Sequence, residues 1–179
     1  MRAISVTIAI FTLLAVNAAI YVSTGRASEA VDALAWFVLL ALFFAETRCP
    51  QWTHVPRNAV ALDLLRLISA TAVLWAAISF VREREWLDAL NAWLWIGVVT
   101  VLELEVRAPA WIKQQRRLVI ALSAALYAAL AGIAVAWLLQ GSWFDGYDAA
   151  LWIAAFALLE LDLLQRSSAN PLSTGIVNK

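Results

Sequence analysis

The fold is decided by residues 117–140, which read RLVIALSAALYAALAGIAVAWLLQ and carry no charge after Arg117. About 20 helical residues, each rising about 1.5 Å, cross the roughly 30 Å hydrocarbon core of a bilayer. This stretch is long enough and apolar enough to do so. It therefore predicts a transmembrane helix.

Similar stretches recur along the whole chain. Hydrophobic residues make up 64% of it and charged residues only 15%, against roughly 45–50% and about 25% in globular proteins. A soluble domain of 179 residues does not bury so much apolar surface in one core. The sequence predicts an all-α integral membrane protein, a single transmembrane domain over residues 1–179, with six transmembrane helices near residues 3–22, 30–48, 58–81, 86–107, 117–140 and 147–166.

The basic residues predict the orientation in the cell membrane. Cytoplasmic loops of membrane proteins are enriched in Lys and Arg. Arg66 lies inside a predicted helix, and three basic residues fall on one side of the membrane: Arg26, Arg82 and Arg84. The other nine fall on the opposite side: Arg2, Arg48, Arg57, Arg107, Lys113, Arg116, Arg117, Arg166 and Lys179. Both termini are therefore predicted to be cytoplasmic.

The chain also contains an internal repeat. The pattern E-x-R-x-P-x-W occurs at residues 46–52 and again at 105–111, an offset of 59. Such self-similarity indicates a repeated structural unit. We predict three pseudo-repeated helix hairpins in one bundle, over about residues 1–48, 49–107 and 108–166, followed by a short polar tail, 167–179. The alternative is chance similarity between Leu-rich and Ala-rich helices.

Three aspartates mark the opposite membrane face. Asp32, Asp88 and Asp148 lie at the starts of the second, fourth and sixth predicted helices, each a few residues before a tryptophan: Trp36, Trp93 and Trp152. Aspartate near a helix start suits the free N–H groups and the helix dipole. We therefore interpret these aspartates as capping residues rather than functional ones. Four tryptophans fall where an aromatic belt at the membrane interface is expected: Trp52, Trp86, Trp111 and Trp143. For the six that lie deeper we prefer packing to an aromatic ligand cage: Trp36, Trp75, Trp93, Trp95, Trp137 and Trp152.

A belt of charged residues at the cytoplasmic ends of the helices is the candidate site. Carboxylates near a helix C-terminus oppose the helix dipole, and ionisable groups within a membrane are candidates for function. The candidates for transport or cation binding are Glu46, Asp63, Arg66, Glu103, Glu105, Glu160 and Asp162. Hard oxygen ligands suit a proton, an alkali ion, or Mg²⁺ or Ca²⁺. The alternative is a salt-bridged structural collar, which pairs such as Glu103 with Arg107 favour.

Several classes of function are excluded by composition. A net charge of zero gives no electrostatic basis for nucleic-acid binding. One Cys and one His exclude most transition-metal sites that need several such ligands. The sequence contains none of the common motifs for hydrolases, zinc proteases, P-loops or dinucleotide binding. We expect no enzyme activity and no cofactor.

The sequence favours a small channel or transporter for a cation, proton or small polar solute. The alternative is a non-catalytic subunit or scaffold of a larger membrane complex, either as a homo-oligomer or with another membrane protein, because small residues are dense in residues 121–132. A weaker hypothesis is contact with anionic lipid headgroups of the bilayer through Arg48, Arg107, Arg116 and Arg117.

Overall fold

The computed structural model describes residues 2–48, 51 and 55–169, and these ranges are helical apart from short connections. We number the helices in chain order. They are α1 Arg2–Thr24, α2 Ala27–Arg48, α3 Pro56–Glu83, α4 Trp86–Arg107, α5 Pro109–Gln114, α6 Arg116–Leu139 and α7 Trp143–Ala169.

The six predicted helices correspond to α1, α2, α3, α4, α6 and α7. The short α5 was not predicted, and it begins at Pro109, where proline is favoured because the first N–H of a helix has no intrahelical partner anyway. Helices α2 and α7 begin three or four residues earlier than predicted. The reason is that hydropathy locates the apolar part of a helix, whereas the first turns of these two helices contain Glu29 and Asp145.

Tight turns join the long helices in pairs. Gly25 and Arg26 separate α1 from α2, and Arg84 and Glu85 separate α3 from α4. Arg84 adopts the left-handed conformation, with φ of 63°, and its N–H donates to the carbonyl oxygen of Val81. Between α6 and α7 the turn contains Gly141 with φ of 85°, a conformation that glycine adopts without steric cost.

The six long helices form a closed ring in chain order. Helix α1 packs on α2, α2 on α3, α3 on α4, α4 on α6, α6 on α7, and α7 returns to α1. Side chains of α2, α4 and α7 meet inside this ring. The ring centroids of Trp36 and Trp95 are 6.3 Å apart, and those of Trp95 and Phe156 are 4.8 Å apart. The centre of the bundle is therefore aromatic.

The outer surface is apolar. Val60, Leu67, Ile68 and Leu139 are each more than 60% exposed, which suits contact with lipid rather than water. Four helices contain apolar segments long enough to span a membrane: Ala27–Glu46, Arg57–Glu83, Trp86–Leu104 and Arg116–Leu139. Helix α1 contains a shorter one, Ile8–Thr24. The described structure is thus consistent with a membrane protein.

The tryptophans divide into two groups. Trp86, Trp111 and Trp143 are exposed near helix ends, as expected for a belt at the membrane interface; the fourth predicted member, Trp52, lies outside the described residues. Among the tryptophans predicted to lie deeper, Trp75 and Trp93 face outward, being 47% and 46% exposed. The remainder face the interior: Trp36, Trp95, Trp137 and Trp152.

Candidate functional site

All six long helices line one cavity beside the three tight turns. It offers about 60 Å³ of space for the centres of water molecules. Its polar lining consists of Tyr21 from α1, Glu29 and Asp32 from α2, Asp88 and Asn91 from α4, and Asp145 and Asp148 from α7. Its aromatic lining consists of Trp36, Phe80, Trp95, Trp137 and Trp152. None of the described lining residues is basic.

The cavity brings together the three aspartates of the sequence pattern. Asp32, Asp88 and Asp148 all line it, and Asp32 lies close enough to the other two for electrostatic interaction. Asp32 and Asp148 each stand at the sixth position of their helix, too far from the first residue to act as an N-cap. The capping interpretation of these two residues is therefore wrong.

Two of the carboxylates have neutral hydrogen-bond donors from α1. The amide nitrogen of Asn17 donates to Oδ1 of Asp148 at 2.6 Å, and the Tyr21 hydroxyl donates to Oδ1 of Asp145 at 2.9 Å. Asn17 is only 4% exposed, so its polar side chain needs an interhelical partner. These two bonds join α1 to α7 beside the cavity.

Three buried polar atoms of the cavity wall have no hydrogen-bond partner among the described protein atoms. They are Oδ1 of Asp32, Nε1 of Trp36 and Oδ1 of Asn91. The indole N–H of Trp36 lies near the Asp32 carboxyl but does not have hydrogen-bond geometry with it. Trp36 is only 7% exposed. Most buried polar groups in proteins are paired, and leaving one unpaired costs about 1–3 kcal/mol. Two acceptors and one donor are therefore presented to whatever occupies the cavity.

The aromatic lining differs in one position from the sequence pattern. Trp36 and Trp152 lie one helical turn after their aspartates, as predicted. In α4 the corresponding position is Ala92, 1% exposed, and the tryptophan in the cavity is Trp95 rather than Trp93. Because Trp95 lies about two turns after Asp88, it still faces the same side of the helix.

Arg26 joins the turns at the edge of the cavity. Its Nε donates to Glu29 at 2.8 Å, and it pairs with Glu85 of the next turn and with Asp88 at 3.4 Å. Burial by itself lowers the pKa of the Arg26 guanidinium, but hydrogen bonds and ion pairs with Glu29 and Glu85 outweigh this and raise it. Arg26 therefore stays charged and offsets the charge of Glu29 and Asp88.

The charged residues that the sequence predicted to lie at the cytoplasmic ends of the helices are arranged differently. Arg66 of α3 pairs with Glu46 of α2 and, at 3.1 Å, with Asp63. The Asp63 side chain is 72% exposed, and Glu103 is also exposed. The structure therefore brings Glu46, Asp63 and Arg66 together as an ion-paired group, which is the arrangement expected of a collar.

Other predicted residues cannot be placed at the level of side chains. The side chains of Glu105, Glu160, Asp162, Arg48 and Arg107 lie outside the described part of the structure. Arg116 and Arg117 are exposed at the start of α6, so they are accessible to headgroups. The functional roles of all seven of these residues stay predictions.

The described carboxylates do not gather at one point. No group of three or more His, Cys, Asp or Glu side chains in the described ranges is arranged to hold a metal ion. Instead, the acids of the cavity are spread around its wall. This arrangement suits an occupant that touches several walls at once.

Comparisons with protein-family models, with curated proteins and with solved structures found no match to this chain. The function is therefore inferred from the chemistry of its own residues.

Proposed function

We propose that the protein is a small membrane transport protein that binds a cation or a proton in the cavity lined by Asp32, Asp88 and Asp148. In this proposal six helices cross the membrane as three hairpins, and the cavity opens toward the non-cytoplasmic side. The closed ring of helices supports the hairpin arrangement. The distribution of Lys and Arg supports the orientation.

The observation that carries the proposal is the set of three aspartates, one from each hairpin, around one cavity that also presents the unpaired Oδ1 of Asp32. Carboxylates are expensive to bury between membrane helices, and those that occur there usually serve proton or ion pathways. Packing alone does not require an aspartate from each hairpin at this place. A bound cation would offset their charge.

The cytoplasmic group has a place in this proposal. Glu46 is near the opposite end of the helix that carries Asp32, and Arg66 joins it to α3. We propose that this ion-paired group closes the cytoplasmic side, with the cavity as the binding site. The alternative is that the cytoplasmic carboxylates themselves bind the transported species. An experiment can distinguish the two hypotheses.

The test is flux into proteoliposomes under gradients of protons, Na⁺, K⁺ and a small organic ammonium ion. A hydrogen bond to a charged group contributes about 1.5–3 kcal/mol, so Asp32→Asn is expected to reduce the flux of the transported ion by at least about tenfold. Asp63→Asn is the comparison variant for the cytoplasmic group, because its side chain is exposed at the other end of the bundle, where we propose closure rather than ion binding. Reduced flux in Asp63→Asn with normal flux in Asp32→Asn would transfer the site to the cytoplasmic belt.

A second candidate function, a subunit of a larger membrane assembly, is favoured by the face of small residues on α6. Ala121, Ala124, Ala125, Ala128 and Gly132 are exposed, and a Cβ added to Gly132 would meet nothing within 4 Å. Small residues on an outward face permit close approach of another helix.

Native mass spectrometry after mild detergent extraction tests this alternative. If α6 carries an interface, Gly132→Leu should convert the assembly to a monomer without reducing monomer stability, because position 132 is exposed and a Cβ there meets nothing within 4 Å. Val135→Leu, a change at another exposed position of α6, is the control. A parent protein that is already monomeric, with no other chain bound, would contradict the scaffold role.

A further inference from the structure

The charge of the cavity sets the first requirement on its ligand. Five carboxylates line it, and Arg26 at its edge pairs with two of them, Glu29 and Asp88. Tyr21 donates to Asp145, which also lies within electrostatic reach of Arg26. Asp148 has only the neutral donors Asn17 and Trp152 among the described residues, and Oδ1 of Asp32 has no hydrogen-bond partner there. Because buried carboxylates are stabilised by a positive partner, the ligand should be a cation.

The unpaired atoms set the second requirement. Oδ1 of Asp32 and Oδ1 of Asn91 accept hydrogen bonds, whereas the indole N–H of Trp36 only donates. A bare metal ion would satisfy the two oxygens but would leave the N–H unpaired. A simple alkylammonium ion would likewise pair with the two oxygens and leave the N–H unpaired. A ligand with an ammonium group and an oxygen acceptor pairs with all three.

The walls and the volume set the remaining requirements. The faces of tryptophans attract organic cations and cover their methylene groups, and Trp36, Trp95, Trp137 and Trp152 line the cavity. One water needs roughly 10–15 Å³ of this kind of space. The 60 Å³ available therefore suits a molecule of about four to six non-hydrogen atoms.

We infer that the cavity binds a small protonated amino alcohol, with its ammonium group between Asp32 and Asn91 and its hydroxyl oxygen accepting from the indole N–H of Trp36. This inference rests on the proposed function, because it names the class of cation that the same cavity takes. In this arrangement the indole N–H of Trp36 distinguishes an amino alcohol from a plain amine, because only the amino alcohol has an oxygen that accepts its hydrogen bond.

The test uses three probes of equal size: ethanolamine, which has both groups, propylamine, which lacks the oxygen, and 1-propanol, which lacks the charge. Their binding to the full-length protein in lipid nanodiscs is measured by titration calorimetry. Ethanolamine should bind about two- to tenfold more tightly than propylamine, which is the contribution of one hydrogen bond, and 1-propanol should bind weakest. Equal binding of ethanolamine and propylamine would overturn the inference.

Two variants then locate the effect. Trp36→Phe keeps an aromatic ring but removes the N–H, so it should abolish the preference for ethanolamine while leaving propylamine affinity nearly unchanged. Asp32→Asn should weaken both amines and leave 1-propanol unaffected. Each variant is used only if it elutes as a single species like the parent, and the three-probe comparison on the parent needs no variant.

The failure of this inference is distinguishable from the failure of the proposed function. If Asp32→Asn abolishes Na⁺, K⁺ or proton flux but ethanolamine binds no better than propylamine, the cavity transports a cation of another class. If Asp32→Asn leaves every flux and every affinity unchanged, the cavity is not the site and both proposals are wrong.

Discussion

At the scale of single residues, Asn17 is the polar group whose role is defined most sharply. It is 4% exposed in the middle of α1, and its amide donates to Asp148 across the helix interface. An amide in the centre of an apolar helix needs a hydrogen-bond partner. The sequence did not identify that partner, since Asp148 is 131 residues away.

Replacing Asn17 by alanine should destabilise the fold by about 1–3 kcal/mol, because the Oδ1 atom of Asp148 would lose its donor in a buried place. Thermal unfolding in detergent, followed by circular dichroism, measures the change. Thr12→Ala is the control, since that hydroxyl is exposed and bonds only to the Ile8 carbonyl of its own helix. Equal unfolding temperatures for parent and Asn17→Ala would show that the interhelical bond contributes nothing.

At the scale of helices, close packing of α6 on α7 depends on Gly146. A Cβ at this position would lie 2.7 Å from Cγ of Leu138 and 3.0 Å from the carbonyl oxygen of Ala134. The carbonyl oxygen belongs to the backbone of α6 and cannot move away by itself, so a larger residue at 146 pushes α6 and α7 apart. The turn that joins them and the cavity residues Asp145 and Asp148 lie next to this contact.

Gly146→Ala is therefore expected to destabilise the bundle by about 1–3 kcal/mol through overpacking. Gly132→Ala, on the same helix pair but facing open space, should instead be neutral or stabilise by up to about 1 kcal/mol, because alanine is the better helix former. Denaturant titration in mixed micelles compares the two. Stabilisation of both variants would mean that α6 and α7 do not approach as closely as described.

The helices also show why the sequence predicted the fold better than the site. Apolar length identified α2, α3, α4 and α6 because the bilayer dictates it. The same criterion placed the start of α2 at residue 30 and left Ser28 and Glu29 out of the helix, although α2 begins at Ala27. Asp32 then looked like a cap, whereas it lies inside the helix and faces the cavity.

The spacing of the aspartates was the available signal for the cavity. Because Asp32, Asp88 and Asp148 recur once in each predicted hairpin, a ring of hairpins must bring them to equivalent places. The sequence could not show that they face inward, since the rotation of each helix depends on packing with its neighbours. It also could not distinguish Trp93 from Trp95, which project about 200° apart on α4.

At the level of the whole molecule, a ring of helices has a cavity at one end and an ion-paired group at the other. The cavity contains side chains from every long helix, so any change of packing around the ring alters its shape. The group of Glu46, Asp63 and Arg66 involves only α2 and α3. We thus propose that the cation binds at one end of the bundle and that the ion-paired group closes the other end.

The orientation is tested by labelling single cysteines in a Cys49→Ser background. Gln140→Cys lies in the turn between α6 and α7, and Gln114→Cys lies at the end of α5; both positions are exposed. A membrane-impermeant maleimide should label residue 140 on intact cells and residue 114 only after permeabilisation. The reverse pattern would place the cavity on the cytoplasmic side.

The most direct test of the central claim, that the cavity holds a cation, is an experimental structure of the full chain in lipid at a saturating concentration of ethanolamine. We predict density for ethanolamine within hydrogen-bond distance of Oδ1 of Asp32, Oδ1 of Asn91 and Nε1 of Trp36, the three atoms without hydrogen-bond partners among the described residues. A structure in which those atoms pair with one another or with other side chains, and in which the cavity is closed, would contradict it.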